Sequence, residues 1–291
     1  MNQKKAYFYI ALGLPAFATA PTVSKLFFAG VSPYEILAWS CIPAALLFLI
    51  VTAWNGKLKM IRTLPVKTLI AMAAIGLVGV LVYNAFFQMG VARLPAQQAF
   101  VIQYLWPAMI IIWARILSHE EISIGKWCAI LLSFVGVVIV AIDGDPSQIA
   151  GGNLLGILAC LAAAVSYGFY SAMNKKVSYD TELMLLLGFF VSIFFGFGLA
   201  VMTGGVHVPT PHLAAGYLFY GLITTGVAYL LWLKALKAGN TAVISNLAYL
   251  TPVISLFMTH FILGEAITIW SAGGLAVILL GIAIQIWLNE R

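Results

Sequence analysis

The sequence predicts an all-α polytopic membrane protein in which ten transmembrane helices form two inverted five-helix repeats, with both termini in the cytoplasm. Three observations lead to this prediction: an apolar composition, a repeat at half the chain length, and a biased distribution of basic loop residues. Of the 291 residues, 63% are hydrophobic and only 8% are charged, with a mean hydropathy of +1.04. A soluble domain has roughly a quarter of its residues charged. The composition therefore excludes an ordinary soluble fold.

Apolar stretches recur along the chain, and each is long enough to cross a hydrocarbon core of roughly 30 Å. The ten predicted spans are approximately 6–29, 33–54, 66–89, 95–117, 123–142, 153–175, 182–203, 212–234, 241–263 and 268–288. The amino terminus resembles a signal peptide, with a small-residue site at Ala18-Thr19-Ala20. Because Pro21 directly follows this site and disfavours cleavage, we expect the first span to remain.

Basic residues in the loops set the orientation of the predicted spans. With the amino terminus in the cytoplasm, 13 lysines and arginines lie inside, and only Lys25 and Arg93 lie outside. If one span were missing or wrongly added, every later loop would change sides, and the basic residues would no longer collect on one side of the membrane. Both termini are therefore predicted to be cytoplasmic.

The second half of the chain repeats the first with a shift of 145 positions. Tyr104-Leu105-Trp106-Pro107 is followed by Glu120 and Gly136, and Tyr249-Leu250-Thr251-Pro252 is followed by Glu265 and Gly281. The loop with Asp143 and Asp145 separates five spans from five, so the predicted repeats are residues 1–146 and 147–291. Because five is odd, equivalent helices cross in opposite directions. Inverted repeats of this kind are typical of secondary transporters, in which two halves exchange conformations around a central site.

The two segments resemble the EamA repeat of the drug/metabolite transporter superfamily, whose members carry a proline in the fourth helix of each half and a glutamate in the following loop. The second copy reads Leu263-Gly264-Glu265, close to the family pattern, whereas the first reads Ser118-His119-Glu120 and departs from it at the glycine. The resemblance implies ten helices in two inverted bundles with a substrate cavity between them. Within the family, the aromatic-rich chain most resembles the bacterial aromatic amino acid exporters. That resemblance implies an inner-membrane carrier that exports aromatic and other apolar amino acids.

Four prolines within the predicted spans are candidate kinks or hinges. Pro107 and Pro252 are expected in mid-helix, where each removes one backbone hydrogen bond and frees the carbonyl about one turn earlier. Their equivalent positions favour a role in the moving parts of a carrier, and a static kink that shapes packing is the alternative. Pro15 and Pro21 in the first span receive the same interpretation.

Polar side chains deep in the predicted spans are candidate substrate contacts, because such groups are costly in hydrocarbon unless they face a partner or a wet cavity. The candidates are Tyr83, Asn84, Gln97, Tyr104, Tyr170, Tyr229, Ser245, Asn246 and Tyr249, together with Lys25 near the outer end of the first span. For each residue alone, an interhelical hydrogen bond is at least as good an explanation, and Lys25 can also snorkel to the interface. The mid-span tyrosines together are too deep for the aromatic belts. They favour a cavity of aromatic faces and hydroxyl groups that takes flat amphipathic solutes.

Acidic residues lie only at predicted helix ends or in loops. Proton-coupled carriers often use a carboxylate buried at depth, so the sequence predicts gradient-driven movement rather than tight proton antiport. Glu120 and Glu265 fall on opposite membrane faces and cannot form one central site. Both are predicted to be structural, capping helix ends or gripping neighbouring backbone amides.

Other functional classes lack their motifs in this sequence. The segment His119-Glu120-Glu121-Ile122-Ser123 lacks the second histidine of a zinc-binding motif, and neither a nucleophile elbow nor a P-loop is present. The three cysteines lie within predicted spans, so no metal centre is indicated. No cofactor and no nucleic acid is expected, the partners are a small-molecule substrate and the bilayer, and the sequence sets no oligomeric state. The alternatives are a proton-coupled antiporter or metabolite exchanger of the same fold and, from another class, an intramembrane enzyme.

Overall fold

A computed structural model describes residues 3–119, 123–145, 153–177, 179–238 and 247–289. The α-helices in these ranges are α1 Gln3–Ala18, α2 Ala20–Phe27, α3 Pro33–Trp54, α4 Lys59–Thr63, α5 Val66–Leu77, α6 Tyr83–Val91, α7 Ala96–Gln103, α8 Trp106–Ser118, α9 Ile124–Ile142, α10 Leu154–Lys176, α11 Thr181–Thr203, α12 Pro211–Phe219, α13 Ala228–Ala238, α14 Thr251–Leu263 and α15 Ile269–Asn289. A first π segment, Val78–Val82, joins α5 to α6, and a second, Tyr220–Val227, joins α12 to α13. Every regular element in the described ranges is helical, which confirms the predicted all-α class.

Seven helical stretches in the described ranges are long and apolar enough to cross a membrane. They are Gln3–Phe27, Pro33–Trp54, Val66–Val91, Ala96–Leu117, Leu154–Asn174, Thr181–Thr203 and Pro211–Ala235. The shorter apolar helices Trp127–Ile142, Thr251–Leu263 and Ile269–Ile284 fall within the other three predicted spans. The start of the ninth predicted span, residues 241–246, lies outside the described ranges.

The chain folds into two compact units that do not follow the two halves of the sequence. The first unit comprises Met1–Leu81 and Asp180–Gly264, and the second comprises Val82–Tyr179 and Glu265–Arg291. Each unit therefore combines helices from both halves. At Leu81 the chain leaves the first unit within a continuous helical stretch, inside the first π segment.

In the second unit, α9 packs against its repeat equivalent α15. A Cβ added to Gly136 would lie 2.7 Å from the carbonyl oxygen of Gly274, and one added to Gly281 would lie 2.7 Å from that of Ala129. A shift of 145 converts Ala129 to Gly274 and Gly136 to Gly281, so the contact maps onto itself. Because the partner's number falls as the position along α9 rises, the two helices run antiparallel. Glycine at these positions permits the close approach of the two backbones.

In the first unit, α3 and α11 form the other antiparallel pair of repeat equivalents. Near the middle, the rings of Phe48 and Phe189 stack with centroids 5.5 Å apart. Towards the start of α3, a Cβ added to Gly196 would lie 3.1 Å from the Cβ of Ala38. The pairing again moves in opposite directions along the two helices. In the described residues, each unit thus contains a pair of antiparallel helices whose positions are related by the shift of 145.

The helix of the fourth span is interrupted before its proline. The backbone N–H groups of Tyr104 and Leu105 donate to the carbonyls of Val101 and Ile102, each only three residues earlier, so α7 ends at Gln103. Pro107 is the second residue of the new helix α8, where its missing N–H costs nothing. The expected mid-helix kink is therefore a break between two helices.

Two of the other three candidate prolines also lie at the start of a new helix. Pro252 is the second residue of α14, directly after a 3-10 turn at Ala248–Leu250. Pro21 is the second residue of α2, and Thr19 separates α2 from α1. Of the four candidate prolines, only Pro15 lies beyond the first turn of its α-helix, α1.

Candidate functional site

Six aromatic side chains in the second unit form a closed cycle of ring contacts. In order around this aromatic cycle, the rings are Tyr83, Phe87, Phe100, Tyr104, Trp106 and Tyr167. The six successive centroid distances are 6.4, 6.1, 5.9, 5.7, 5.2 and 4.8 Å. All six distances lie within the range in which offset and edge-to-face pairs attract each other. Tyr170 adds a seventh ring, 5.7 Å from Tyr167.

The helix break before Pro107 makes this cycle possible. Residues two apart on a continuous α-helix point in nearly opposite directions and do not meet. Tyr104 and Trp106 are two apart, yet their rings contact edge to face, with an interplanar angle of 68°. The break between α7 and α8 turns both rings to the same side, and α6, α7 and α10 supply the remaining four rings.

Buried amides accompany the aromatic cycle. Asn84, Gln88, Gln97, Gln98 and Gln103 are all buried. The hydroxyl of Tyr83 donates to Oε1 of Gln103 over 3.2 Å, and Nε2 of Gln97 donates to the carbonyl of Ala266 over 2.6 Å. Oε1 of Gln97 has no hydrogen-bond partner among the described residues. Since α6 and α7 contain no charged residue, the polar chemistry that these two helices contribute is neutral and dipolar.

Glu265 fixes the start of α7. One carboxylate oxygen accepts the N–H of Ala96 over 2.7 Å, and the other accepts the N–H of Gln97 over 3.1 Å. These are the first two residues of α7, whose N–H groups have no partner within the helix. A carboxylate at a helix N-terminus also interacts favourably with the helix dipole. Glu265 therefore anchors the helix that carries Gln97, Phe100 and Gln103.

The first unit contains a smaller polar contact at two helix interruptions. Thr19, at the break between α1 and α2, lies 2.8 Å from Thr224 of the second π segment, hydroxyl to hydroxyl. Beside Thr224, the hydroxyl of Thr225 donates to the carbonyls of Tyr220 and Gly221 over 3.1 and 2.8 Å. π-Helical segments inside α-helices are frequent at functional sites.

The predicted site residues are divided between the two units. Tyr83, Asn84, Gln97, Tyr104 and Tyr170 belong to the second unit. Tyr229 is buried in the first unit, where its ring contacts Phe17 at 5.4 Å and Phe189 at 6.3 Å. Lys25 is in the last turn of α2 and is partly buried. Ser245, Asn246 and Glu120 lie outside the described residues, as does the side chain of Tyr249.

The sequence-based candidates omit Trp106 and Gln103. Trp106 is two residues from Tyr104, and helical spacing separates such positions, so the sequence alone does not reveal the contact. Gln103 stands in the middle of an apolar span next to Tyr104. A mid-span glutamine is itself a functional signal, and this signal identifies the residue in retrospect.

Comparisons with known proteins identify relatives over nearly the whole chain. The profile of the EamA-like transporter family matches residues 4–142 and 154–287. An uncharacterized transporter of Archaeoglobus fulgidus is 25% identical over 97% of this chain and 99% of its own length. The aromatic amino acid exporter YddG of Ancylobacter novellus is 23% identical over 62% of this chain and 63% of its own length. A solved crystal structure superimposes with a TM-score of 0.70 at 20% identity, covering 98% of this chain and 99% of the other.

Proposed function

This chain belongs to the EamA-like transporter family, and from that premise we propose that it exports small amphipathic metabolites, chiefly aromatic and other apolar amino acids, by alternating access. As a member of this family, the chain is a multi-pass membrane transporter, and its bacterial relatives support a plasma-membrane location. The single observation that carries the substrate proposal is the aromatic cycle with its buried amides.

The chemistry of the aromatic cycle matches that of the proposed substrates. Aromatic faces stack on flat apolar side chains, and neutral amides donate to a carboxylate and accept from an ammonium group. An amino acid carries both groups and has no net charge when its side chain is neutral. The uncharged helices α6 and α7 suit such a solute better than a phosphorylated one. The relative named as an aromatic amino acid exporter supports the same substrate class.

Alternating access follows from the proposed inverted architecture. We assign ten spans to two repeats, residues 1–146 and 147–291, with both termini in the cytoplasm as the basic loop residues indicate. The antiparallel pairs of equivalent helices, α3 with α11 and α9 with α15, support this assignment. Two similar halves of opposite orientation exchange conformations and open the same site first to one side and then to the other.

One observation favours a second candidate function, proton-coupled antiport by the same fold. The carboxylate of Glu35, in the first turn of α3, is only 3% exposed. A buried carboxylate is the usual proton carrier in coupled transporters. Its position at a helix end rather than at mid-span favours gradient-driven movement as the first candidate.

Counterflow in proteoliposomes tests both candidates. We expect saturable counterflow of labelled phenylalanine, tyrosine or tryptophan in a screen of the twenty amino acids, without substrate-dependent proton flux. Failure of all aromatic and other apolar amino acids would contradict the substrate assignment. Substrate-dependent proton flux, followed with a pH-sensitive dye inside the vesicles, would instead establish the coupled antiporter.

Two tryptophans of α8 provide a matched pair of variants for the site. Trp106→Leu opens the aromatic cycle and removes one stacking surface. We expect it to raise the KM for aromatic substrates about three- to tenfold more than for leucine, in line with the energy of an aromatic pair. Trp113 contacts Phe169 outside the cycle, so Trp113→Leu is expected to leave the aromatic-to-leucine ratio of KM unchanged. An equal effect of both variants on that ratio would argue against the cycle as the substrate site.

A further inference from the structure

The antiparallel helices α3 and α11 are tied together at one end by a permanently charged cluster. Nζ of Lys57, just beyond α3, lies 2.7 Å from Asp180 Oδ2 and 2.8 Å from Glu182 Oε2. Nδ2 of Asn55 also donates to Oε2 of Glu182 over 2.8 Å. The acidic N-terminus of α11 thus holds the segment that follows α3.

The other end of the same helix pair has an equivalent contact in which a histidine takes the place of the lysine. Oε1 of Glu35, in the first turn of α3, accepts the backbone N–H of His207 over 3.0 Å. Oε2 lies 3.1 Å from Nδ1 of the same histidine. Here the acidic N-terminus of α3 holds the segment that follows α11. Asp180 is 145 positions after Glu35, so the two contacts occupy equivalent positions of the repeat. We refer to the contact of Lys57 with Asp180 and Glu182 as the Lys57 clamp, and to the contact of His207 with Glu35 as the His207 clamp.

The two clamps respond differently to protons. Burial alone would lower the pKa of Lys57, but its hydrogen bonds to Asp180 and Glu182 and their negative charges raise that pKa above its ordinary value. The Lys57 clamp therefore stays charged throughout the neutral range. Histidine is the side chain that normally changes its charge between pH 5 and 8. The side chain of His207 is 73% exposed, whereas that of Glu35 is buried.

Several other titratable groups face this end of the first unit. Tyr217 of α12 lies within electrostatic range of Glu35, and Tyr34 precedes it on α3. Lys25, in the last turn of α2, carries a permanent positive charge. Nε2 of His212 lies 3.3 Å from the carbonyl of Leu26. His212 therefore contacts a neutral carbonyl, and the imidazole bound to a buried carboxylate is that of His207.

We propose that Glu35 and His207 form a proton-responsive clamp, which holds the segment between α11 and α12 while His207 is protonated and loosens when His207 loses its proton. A hydrogen bond between two charged groups is stronger than one with a neutral donor. A buried carboxylate also gains more from a cation than from a neutral ring. The clamped segment is followed by α12 and then by the second π segment. When the clamp loosens, the start of α12 is no longer held to α3, and α12 continues directly into this irregular part of the helix.

Hydrogen exchange at the His207 amide tests the clamp without any assumption about transport. After correction for the intrinsic pH dependence of exchange, we expect the protection of residues 205–210 to fall about fivefold between pH 5.5 and 8, the difference between a charged and a neutral hydrogen bond. His207→Asn keeps a donor near the position of Nδ1 and cannot titrate, so its protection is expected to be flat. His207→Lys is expected to keep the protection high at both pH values.

Two control variants separate the clamp from other effects of pH. His212→Asn removes the neighbouring histidine and is expected to retain the fivefold change. Lys57→Gln is expected to lower the protection of residues 55–57 equally at both pH values. A wild-type profile in His207→Asn, or loss of the change in His212→Asn, would overturn the proposal.

Transport measurements extend the test and rest on the proposed function. We expect counterflow to change with external or internal pH in the wild type and to lose that dependence in His207→Asn. Active counterflow with the same pH profile in both proteins would refute the clamp and leave the proposed function intact. Absence of counterflow in the wild type would refute the proposed function, while the exchange experiment still decides the clamp.

Discussion

At the scale of single residues, His119 occupies the position in the first repeat that Gly264 occupies in the second. His119 ends α8 in the left-handed conformation with φ of 55°, and Gly264 ends α14 with φ of 72°. The two positions are 145 apart. Glycine is the usual residue at such a helix end because it has no Cβ to clash with the backbone. The structure thus retains a turn at His119 that its side chain disfavours.

Replacing His119 with glycine is expected to stabilise the protein. The substitution removes the strain of the left-handed conformation, but glycine also makes the unfolded chain more flexible. The net gain in the free energy of unfolding is expected to be about 0.5–1 kcal/mol. The His119 side chain is exposed, and Arg115 bonds only its backbone carbonyl, so few contacts are lost. Thermal unfolding in detergent measures the effect. Gly264→Ala is the converse variant and is expected to lower the midpoint, and a lower midpoint in His119→Gly would contradict this account.

The sequence identifies candidate site residues by their type, but it does not give their arrangement in space. The cost of polar groups in hydrocarbon singles out Tyr83, Asn84 and Gln97 without any structure. The hydrogen bond from Tyr83 to Gln103 joins two helices 20 positions apart in sequence, and spacing along one helix contains no such information. For the same reason, the sequence did not show that the candidate residues fall into two units.

At the scale of elements, helix positions were predictable because apolar length alone determines a span. Helix irregularities were less predictable. Proline marks the breaks before α8 and α14, although the pattern predicts a kink rather than a break. The π segments contain no proline and carry no sequence signal of comparable strength. The two π segments are equivalent, since a shift of 145 moves Val78–Val82 onto 223–227, inside the second segment. Only the backbone structure reveals this equivalence.

Thr225 is expected to stabilise the second π segment. Its hydroxyl donates to the carbonyls four and five residues earlier, which supplements the wider hydrogen bonding of this helix type. Thr225→Val preserves the side-chain shape and removes the donor, so we expect a loss of about 1 kcal/mol. Faster hydrogen exchange across residues 220–227 would report it locally. Thr225→Ser keeps the donor and should match the wild type, and an equal change in both variants would show that packing rather than the hydroxyl matters.

At the scale of the whole molecule, the repeat in the sequence and the division into compact units describe different things. The repeat relates residues that occupy equivalent positions, whereas each unit collects helices that pack together. The two helices of each pair come from different halves of the sequence but lie in one unit. The pair of α3 and α11 lies in the first unit, and the pair of α9 and α15 lies in the second. An inverted duplication produces this arrangement when a helix packs best against its own equivalent, since both surfaces then carry the same pattern of small residues.

The pair of α9 and α15 allows the symmetry of the molecule to be tested by mutation. Gly136 and Gly281 occupy equivalent positions, and a Cβ on either one would lie within 2.7 Å of a backbone carbonyl of the facing helix. Replacement of either glycine by alanine forces the two helices apart and is expected to cost about 1–3 kcal/mol. The facing side chains differ, since Ile278 lies against Gly136 and Ser133 against Gly281. Because the two backbone contacts are equivalent, the two losses should still be similar.

Gly273 is the matched control on the same helix, since an added Cβ there meets nothing within 4 Å. Gly273→Ala is expected to be neutral or to stabilise α15 by up to about 1 kcal/mol, because alanine is the better helix former. Thermal unfolding of the three variants in detergent compares them directly. If Gly136→Ala and Gly281→Ala differed widely, or if Gly273→Ala were as damaging as either, the close antiparallel contact would not be a shared property of the two repeats. Similar losses at the paired positions, with the control unaffected, would show that one duplicated surface stabilises the helix pair from both sides.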